Sequence, residues 1–202
     1  MRTPVLGTSD PLRTGPSAGV RIEGRAPDET VDTGWQPVDA DFFAALAVPV
    51  VRGRGIEPTD RAGDTEVVVV NEAFVRQAFG PEDPLGRRIT IGLDGHDRPL
   101  TIVGVVADTK SRGPAAEAAP VLYRPLAQTD GFGAESVFLA VRGTSGATVR
   151  VGDAARAAAP GMPVYDEATG AELVRAFGQT QAMLLTIVGV FGLTALALGL
   201  VG

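Results

Sequence analysis

The 202-residue sequence contains no cysteine, a single histidine (His96) and a single lysine (Lys110). No disulfide, thiolate nucleophile or cysteine-based metal cage can form from it, and no histidine pair can bridge a metal. A Ser-His-Asp triad could draw only on His96, and no serine stands in a G-x-S-x-G elbow, so that machinery is excluded. Positive charge is also scarce. The formal net charge is -6 and the isoelectric point about 4.8, without the clustered basic residues that nucleic acid requires. The near-exclusive use of arginine over lysine reads as the codon bias of a GC-rich genome. The opening MRTPVLGTSDPLRTGPS has no apolar core and does not read as a signal peptide. The remaining absence is the most telling: residues 176–202 carry no charge at all.

Within that uncharged stretch, residues 183–202 read MLLTIVGVFGLTALALGLVG. Twenty helical residues span about 30 Å, the thickness of the bilayer hydrocarbon core. A buried core helix would keep a polar stripe, whereas this segment is apolar all round, so a membrane span is expected. Gly189, Gly192, Ala195, Gly199 and Gly202 fall on one face of it. Small residues let membrane helices approach closely, and the stripe is read as a packing seam against another helix, set against the simple abundance of Gly and Ala.

Elsewhere the composition is globular: 45% hydrophobic and 21% charged. Residues 1–37 are rich in Gly, Pro and Thr, and only a short strand near Val20–Glu23 is expected there. Asp39 or Asp41 is placed to cap a short helix through Phe42, Phe43 and Leu46, stopped by Pro49. Val48–Arg54 reads as a strand running into a loop. The β-branched run Val67–Val70 predicts a buried strand. Asn71 follows as the cap of a helix over Glu72–Phe79, ended by Gly80-Pro81. Arg88–Ile91 and Leu100–Val106 read as strands joined by the loop GLDGHDRP, and Val121–Arg124 as another strand. A strand at Val137–Val141, a helix at Thr148–Ala159, and a strand at Val164–Tyr165 close the domain. Thr169 and Glu172 then fit a capping box. No proline separates that box from the apolar segment, and only Gly178 weakens the helix. One helix from about Gly170 to Gly202, roughly 50 Å long at 1.5 Å per residue, would couple domain and bilayer mechanically.

Three features invite a chemical reading. Gly104-Val-Val-Ala-Asp-Thr-Lys-Ser111 follows a strand and nearly matches a phosphate-binding loop, but Thr109 replaces the second glycine, and Gly113-Pro114 stand where the phosphate-binding helix should begin. His96 lies between Asp94 and Asp97 in a turn, where side chains face water; this is a poor metal cage. The carboxylate pairs Glu82/Asp83 and Asp166/Glu167 sit in expected surface turns and are read as solvated. No catalytic residue, metal ligand or cofactor is expected, and the chain is read as having no enzymatic activity.

The stretches DADFFAALAVPVVRGRGI (39–56), EVVVVNEAFVRQAFGPEDPLGRRITIG (66–92), LTIVGVVADTKSRG (100–113), VLYRPLAQ (121–128) and MPVYDEATGAELV (162–174), in that order, carry a resemblance. The chain resembles the MacB-like periplasmic core domain of bacterial ABC transporter permeases of the MacB/FtsX type, particularly those without an ATPase on the same chain. The resemblance implies an α+β fold: an extracytoplasmic domain over residues 1–181 with a split βαβ-type membrane-proximal subdomain (about 136–178), an inserted subdomain (about 35–128), and a transmembrane helix over 183–202. It implies a place in the cell (inner) membrane, with the bulk of the chain outside the cytoplasm. The implied partners are further permease helices and a separate ATPase subunit, with a homodimer among the admissible assemblies. The implied work is coupling of membrane-helix motion to the domain during export or mechanotransmission. The sequence departs from the family in lacking the preceding and later membrane helices, in its weak fit before Val20, and in reading Gln179-Thr180-Gln181 where a basic residue is common. The competing reading is a membrane-tethered extracytoplasmic binding or adaptor module without an ATPase partner.

Overall fold

The computed structural model describes residues 5–7, 17–93, 96–109, 117–129, 138–141, 147–158, 160–161, 169 and 172. The chain forms two compact units, Met1–Gly143 and Thr144–Gly202.

The first unit is built on strands β1 (Val5–Gly7), β2 (Ser17–Ile22), β3 (Thr30–Val38), β4 (Val50–Gly53), β5 (Val67–Asn71), β6 (Arg88–Leu93), β7 (His96–Val106), β8 (Val121–Pro125) and β9 (Phe138–Ala140). Two short helices, α1 (Phe42–Leu46) and α2 (Glu72–Ala78), lie between them. The pairings run β2-β6-β7-β5-β8-β3, and β3 returns to β2 through Val20↔Val31 and its neighbours, so six strands close into a ring. Closure removes the unsatisfied edges that an open sheet would present. β3 completes it by using its halves separately: residues 30–34 lie antiparallel to β2, and residues 34–38 run parallel to β8. Outside the ring, β1 pairs with β3 at Gly7↔Val38, β9 pairs with β1, and β4 pairs with the far end of β7.

Strand periodicity explains the cores. Val68 and Val70 of β5 point into the ring, where Val20, Ile22, Val31, Trp35, Ile89, Ile91, Leu100, Ile102, Val105 and Leu122 meet them. Helix α2 joins this core through Phe74, Val75 and Ala78, followed by Phe79. Val69 points the other way, into a second core with Phe42, Phe43, Ile56, Val106, Val121 and Tyr123. The Val67–Val70 run is apolar at every position because each face of the strand meets its own core. β7 serves both cores by a register shift opposite Val68/Val69. That one-residue bulge lets Ile102 and Val105 face the ring interior although they are three apart. Full burial of each such aliphatic side chain is worth about 1.5–3 kcal/mol.

Two expectations are corrected. β3 and β1 lie where only one strand was anticipated. The sequence of β3, TVDTGWQPV, contains Gly34 and Pro37, which propensity disfavours in strands. Burial of Trp35 in one core and Val38 in the other overrides it. The loop between β6 and β7 is also shorter than read: the ladder continues to Leu93↔His96, and Asp94 and Gly95 lie outside the described residues.

In the second unit, α3 (Ala147–Ala158) forms where expected, and Thr169 and Glu172 make the capping box: Thr169 N–H donates to Glu172 Oε2 at 2.7 Å and Glu172 N–H to Thr169 Oγ1 at 3.3 Å. The expected strand at Val164–Tyr165 and the apolar segment 183–202 lie outside the described residues. Among the described residues no helix is long and apolar enough to cross a membrane.

Candidate functional site

The chemistry-bearing stretch Gly104–Ser111 leaves the ring at the end of β7, beside the end of β5 and the start of α2. Gly104 cannot carry a side chain: a Cβ there would lie 1.8 Å from the Arg54 carbonyl oxygen. Its neighbour across the pairing, Gly53, has φ +68° and faces the Val103 carbonyl at 2.3 Å from a would-be Cβ. The first glycine of the phosphate-loop pattern thus serves close strand crossing. Asp108 then fills the place that an anion would take. Its Oδ1 accepts the Ala73 N–H at 2.7 Å in the first turn of α2, and its Oδ2 takes Arg76 at 2.7 Å. A carboxylate at a helix start is favoured by the free N–H groups there. Thr109 lies 3.3 Å from the Tyr123 hydroxyl. Burial pushes the Tyr123 phenol up, with the Asp108 charge adding to it and the Thr109 bond opposing. Gly104, Asp108 and Thr109 are each committed to the protein's own packing; Lys110 and Ser111 lie outside the described residues.

Asn71 links this junction together. Its Oδ1 accepts from Phe74 N–H (3.1 Å), as expected of the cap, and also from Val121 N–H (2.9 Å), while Nδ2 donates to the Ala119 carbonyl (2.8 Å). The cap was legible; the second role needed β8 to lie alongside.

A second polar cluster sits at the far end of β5. β8 ends at Pro125, which has no N–H to continue the ladder. Gln128, in the 3-10 turn after it, reaches back with its side chain: Oε1 accepts from Val67 N–H at 3.0 Å, and Nε2 donates to the Arg61 and Thr65 carbonyls at 3.2 and 3.1 Å. Glu66 receives Arg124 at 3.1 Å and Arg98 at 3.5 Å. Nearby, Arg54 grips Asp60 with two bonds of 2.8 Å. Burial pushes the Asp60 carboxyl up, but the Arg54 hydrogen bonds, the Glu57 N–H and the Arg54 charge outweigh it and hold it below the usual value. None of these residues was singled out by the sequence; no local pattern marks a buried glutamine that reaches so far back along the chain.

The remaining candidates stay apart. His96 lies in β7 at the hairpin end, Asp97 pairs with Arg21 across β6, and Asp94 lies outside the described residues. Glu82 and Asp83 are exposed and face Arg87 and Arg52 at 3.5 and 3.9 Å. Among the described residues no group of three or more His, Asp or Glu could hold a metal. Asp166 and Glu167, and the packing-seam residues Gly189, Gly192, Ala195 and Gly199, lie outside the described residues. The least conventional surface is apolar: in Ala44–Val51 (AALAVPVV) no residue is buried, and Val50 and Val51 are 41% and 48% exposed.

A ring of strands with two cores and buried polar ties is a fold whose relatives can be sought by comparison. Residues 6–160 match the family model of the MacB-like periplasmic core domain. The chain belongs to this family. A macrolide export ATP-binding/permease protein MacB 1/2 of Paracoccus denitrificans is 28% identical over 152 residues, 75% of this chain; the chain spans only 19% of that protein's length. The periplasmic region of MacB from Actinobacillus actinomycetemcomitans superposes with a TM-score of 0.56 at 15% identity, covering 78% of this chain and 67% of that one. The extracellular domain of the noncanonic ABC-type transporter YknZ from Gram-positive bacteria gives 0.52 at 16% identity, covering 74% and 69%. A domain of a putative permease protein from Porphyromonas gingivalis gives 0.53 at 15%, covering 86% and 82%. At these identities the three structures speak for a shared mixed α and β fold.

Proposed function

We propose that this MacB-like periplasmic core domain is the extracytoplasmic part of an ABC transporter permease, without catalytic machinery of its own. The observation that carries the reading is the family match across residues 6–160, joined in sequence to the uncharged segment 183–202. That segment would cross the membrane, and Gly189, Gly192, Ala195 and Gly199 would pack against a further permease helix. The capping box at Thr169 and Glu172 supports a helix starting there. Continued to Gly202, it would carry membrane-helix motion into the domain, driven by a separate ATPase subunit. In this reading the part over 136–178 is membrane-proximal, and residues about 35–128 form the inserted subdomain.

The alternative, a tethered binding or adaptor module, is favoured by the apolar run Ala44–Val51, in which Ala44, Ala47, Pro49, Val50 and Val51 are exposed and a bound partner would cover them. The gene context separates the two: three further apolar spans downstream and a nearby ATPase gene with an intact phosphate loop support the permease, and finding neither supports the module. Topology is tested by expressing the chain behind a restored upstream span. An alkali-resistant membrane fraction in which an exposed Thr59→Cys is labelled from outside supports the reading. A soluble cytoplasmic product would overturn both versions.

A further inference from the structure

The connection from β4 to β5, residues 54–66, has no regular secondary structure, and only Ile56 and Asp60 in it are buried. Both ends are held on β7: Arg54 N–H donates to the Val103 carbonyl at 3.0 Å, and Thr101 N–H donates to the Glu66 carbonyl at 2.9 Å. Inside it, Asp60 accepts two bonds of 2.8 Å from Arg54 and one of 2.8 Å from Glu57 N–H. Those bonds fix the shape of the segment without tying its middle to the ring. Two things tie the middle down. Ile56 inserts into the second core, and Gln128, itself 4% exposed, donates to the Arg61 and Thr65 carbonyls.

We propose that residues 54–66 are a strap that opens as one body, with Gln128 as its latch, withdrawing Ile56 from the second core while the ring stays closed. Segments with few buried apolar contacts open locally at a fraction of the global cost. The Arg54–Asp60 grip keeps the strap in one piece as it leaves. The latch stands where the chain leaves the ring toward β9, so displacement of that exit acts on Gln128 before it acts on any ladder bond between β5 and β8. The second core adjoins the exposed apolar run, since a Cβ at Gly55 would meet both Phe43 and Val50 at 3.7 Å. Opening would therefore enlarge one continuous apolar surface. This inference does not depend on the transport reading.

The absence of cysteine makes the test clean. In the full chain, held in detergent, Ile56→Cys is labelled with a maleimide and compared with Ile91→Cys inside the ring. Adding Gln128→Ala is expected to accelerate labelling at position 56 by at least about tenfold, the scale of lost buried hydrogen bonds. In both backgrounds labelling at 56 should be faster than at 91 and should rise less steeply with urea, because opening the strap exposes less surface than unfolding the ring. The same rate and urea dependence at both positions, or no acceleration at 56, overturns the proposal. Hydrogen exchange on the unsubstituted chain gives a second reading that needs no variant. Amides of 54–66 should exchange together and well before those of β6 and β7; exchange of the strap only at the rate of the ring would refute it.

Discussion

Replacing Asn71 with alanine removes three hydrogen bonds, two of them buried, that tie β5 to α2 and β8. The side chain is fully buried; it caps α2 at Phe74 and receives the Val121 N–H of β8, while its amide reaches the Ala119 carbonyl. Loss of an N-cap costs about 1 kcal/mol. Leaving the Val121 N–H buried without a partner costs about 1–3 kcal/mol, and losing the part-buried bond to the Ala119 carbonyl costs about 0.5–1.5 kcal/mol. The expected destabilisation is therefore about 2.5–5.5 kcal/mol, a large fraction of an ordinary domain's stability. Asn71→Ser separates the parts: a serine hydroxyl caps the helix but does not span to both β8 groups, so it should recover only about 1 kcal/mol. The chain has one tryptophan, Trp35, which is 3% exposed in the ring core, so denaturant unfolding can be followed by its fluorescence. If Asn71→Ala cost less than about 1 kcal/mol, or if serine restored full stability, the residue would be a simple cap and the argument for a three-way tie would fail.

Gly104→Ala should cost about 2–3 kcal/mol because its Cβ would collide with the Arg54 backbone, whereas Gly92→Ala, with nothing within 4 Å, should be neutral or slightly stabilising; equal effects in urea melts would refute the close-crossing account. Ala47 ends α1 with φ 54°, a left-handed conformation that disfavours a side chain, so Ala47→Gly should gain up to about 1 kcal/mol, and a loss in the same melts would contradict the strain. The Asp60 carboxyl is held below the usual aspartate value in the folded chain, so its contribution is complete above that usual value and is lost as pH falls through the lower folded value. The stability difference between the parent and Asp60→Asn should therefore be flat above about pH 5 and shrink on acidification; a difference that grew would reverse the sign.

What the sequence disclosed follows the range of the forces involved. The Val67–Val70 strand, the Asn71 cap, α2 with its Gly80 stop and the Thr169/Glu172 box were readable because each is decided by neighbours within a few residues. β3 was missed because Gly34 and Pro37 are locally unfavourable, and only the two cores on either side of it make the strand stable. The length of the β6–β7 hairpin was underestimated because polar Asp97 and Arg98 look like loop residues; in the fold they lie on β7, where Asp97 meets Arg21 and Arg98 meets Glu66. The phosphate-loop resemblance of Gly104–Ser111 already failed locally, at Thr109 and Gly113-Pro114; the fold adds that Arg54 approaches Gly104 and that Asp108 accepts the Ala73 N–H of α2. Gln128 and Arg124 were invisible because their partners lie about 60 positions away in the chain, at Arg61, Thr65 and Glu66.

The proposed transmission of movement requires a part that keeps its shape and a part that yields, and the polar ties are distributed accordingly. Around the ring every strand has a neighbour on both sides, and Asn71 and Asp108 fix α2 and β8 to it at one end, so bending it would break several buried hydrogen bonds together. Beyond the ring, β4 pairs only with β7, and all four of its residues are exposed. β9 pairs only with β1, and its Phe138 and Leu139 are 38% and 37% exposed. β4 therefore hangs on the ring by a single ladder, and β9 reaches it only through β1. A force arriving along the chain would meet the short ladders and the Gln128 latch first, because these place few bonds between the load and the solvent. Motion of the membrane helices would then rearrange the outer strands and the strap around a ring that stays closed. In the proposed permease reading, a ligand or partner that prefers the altered surface would in turn bias the membrane part by the same free energy.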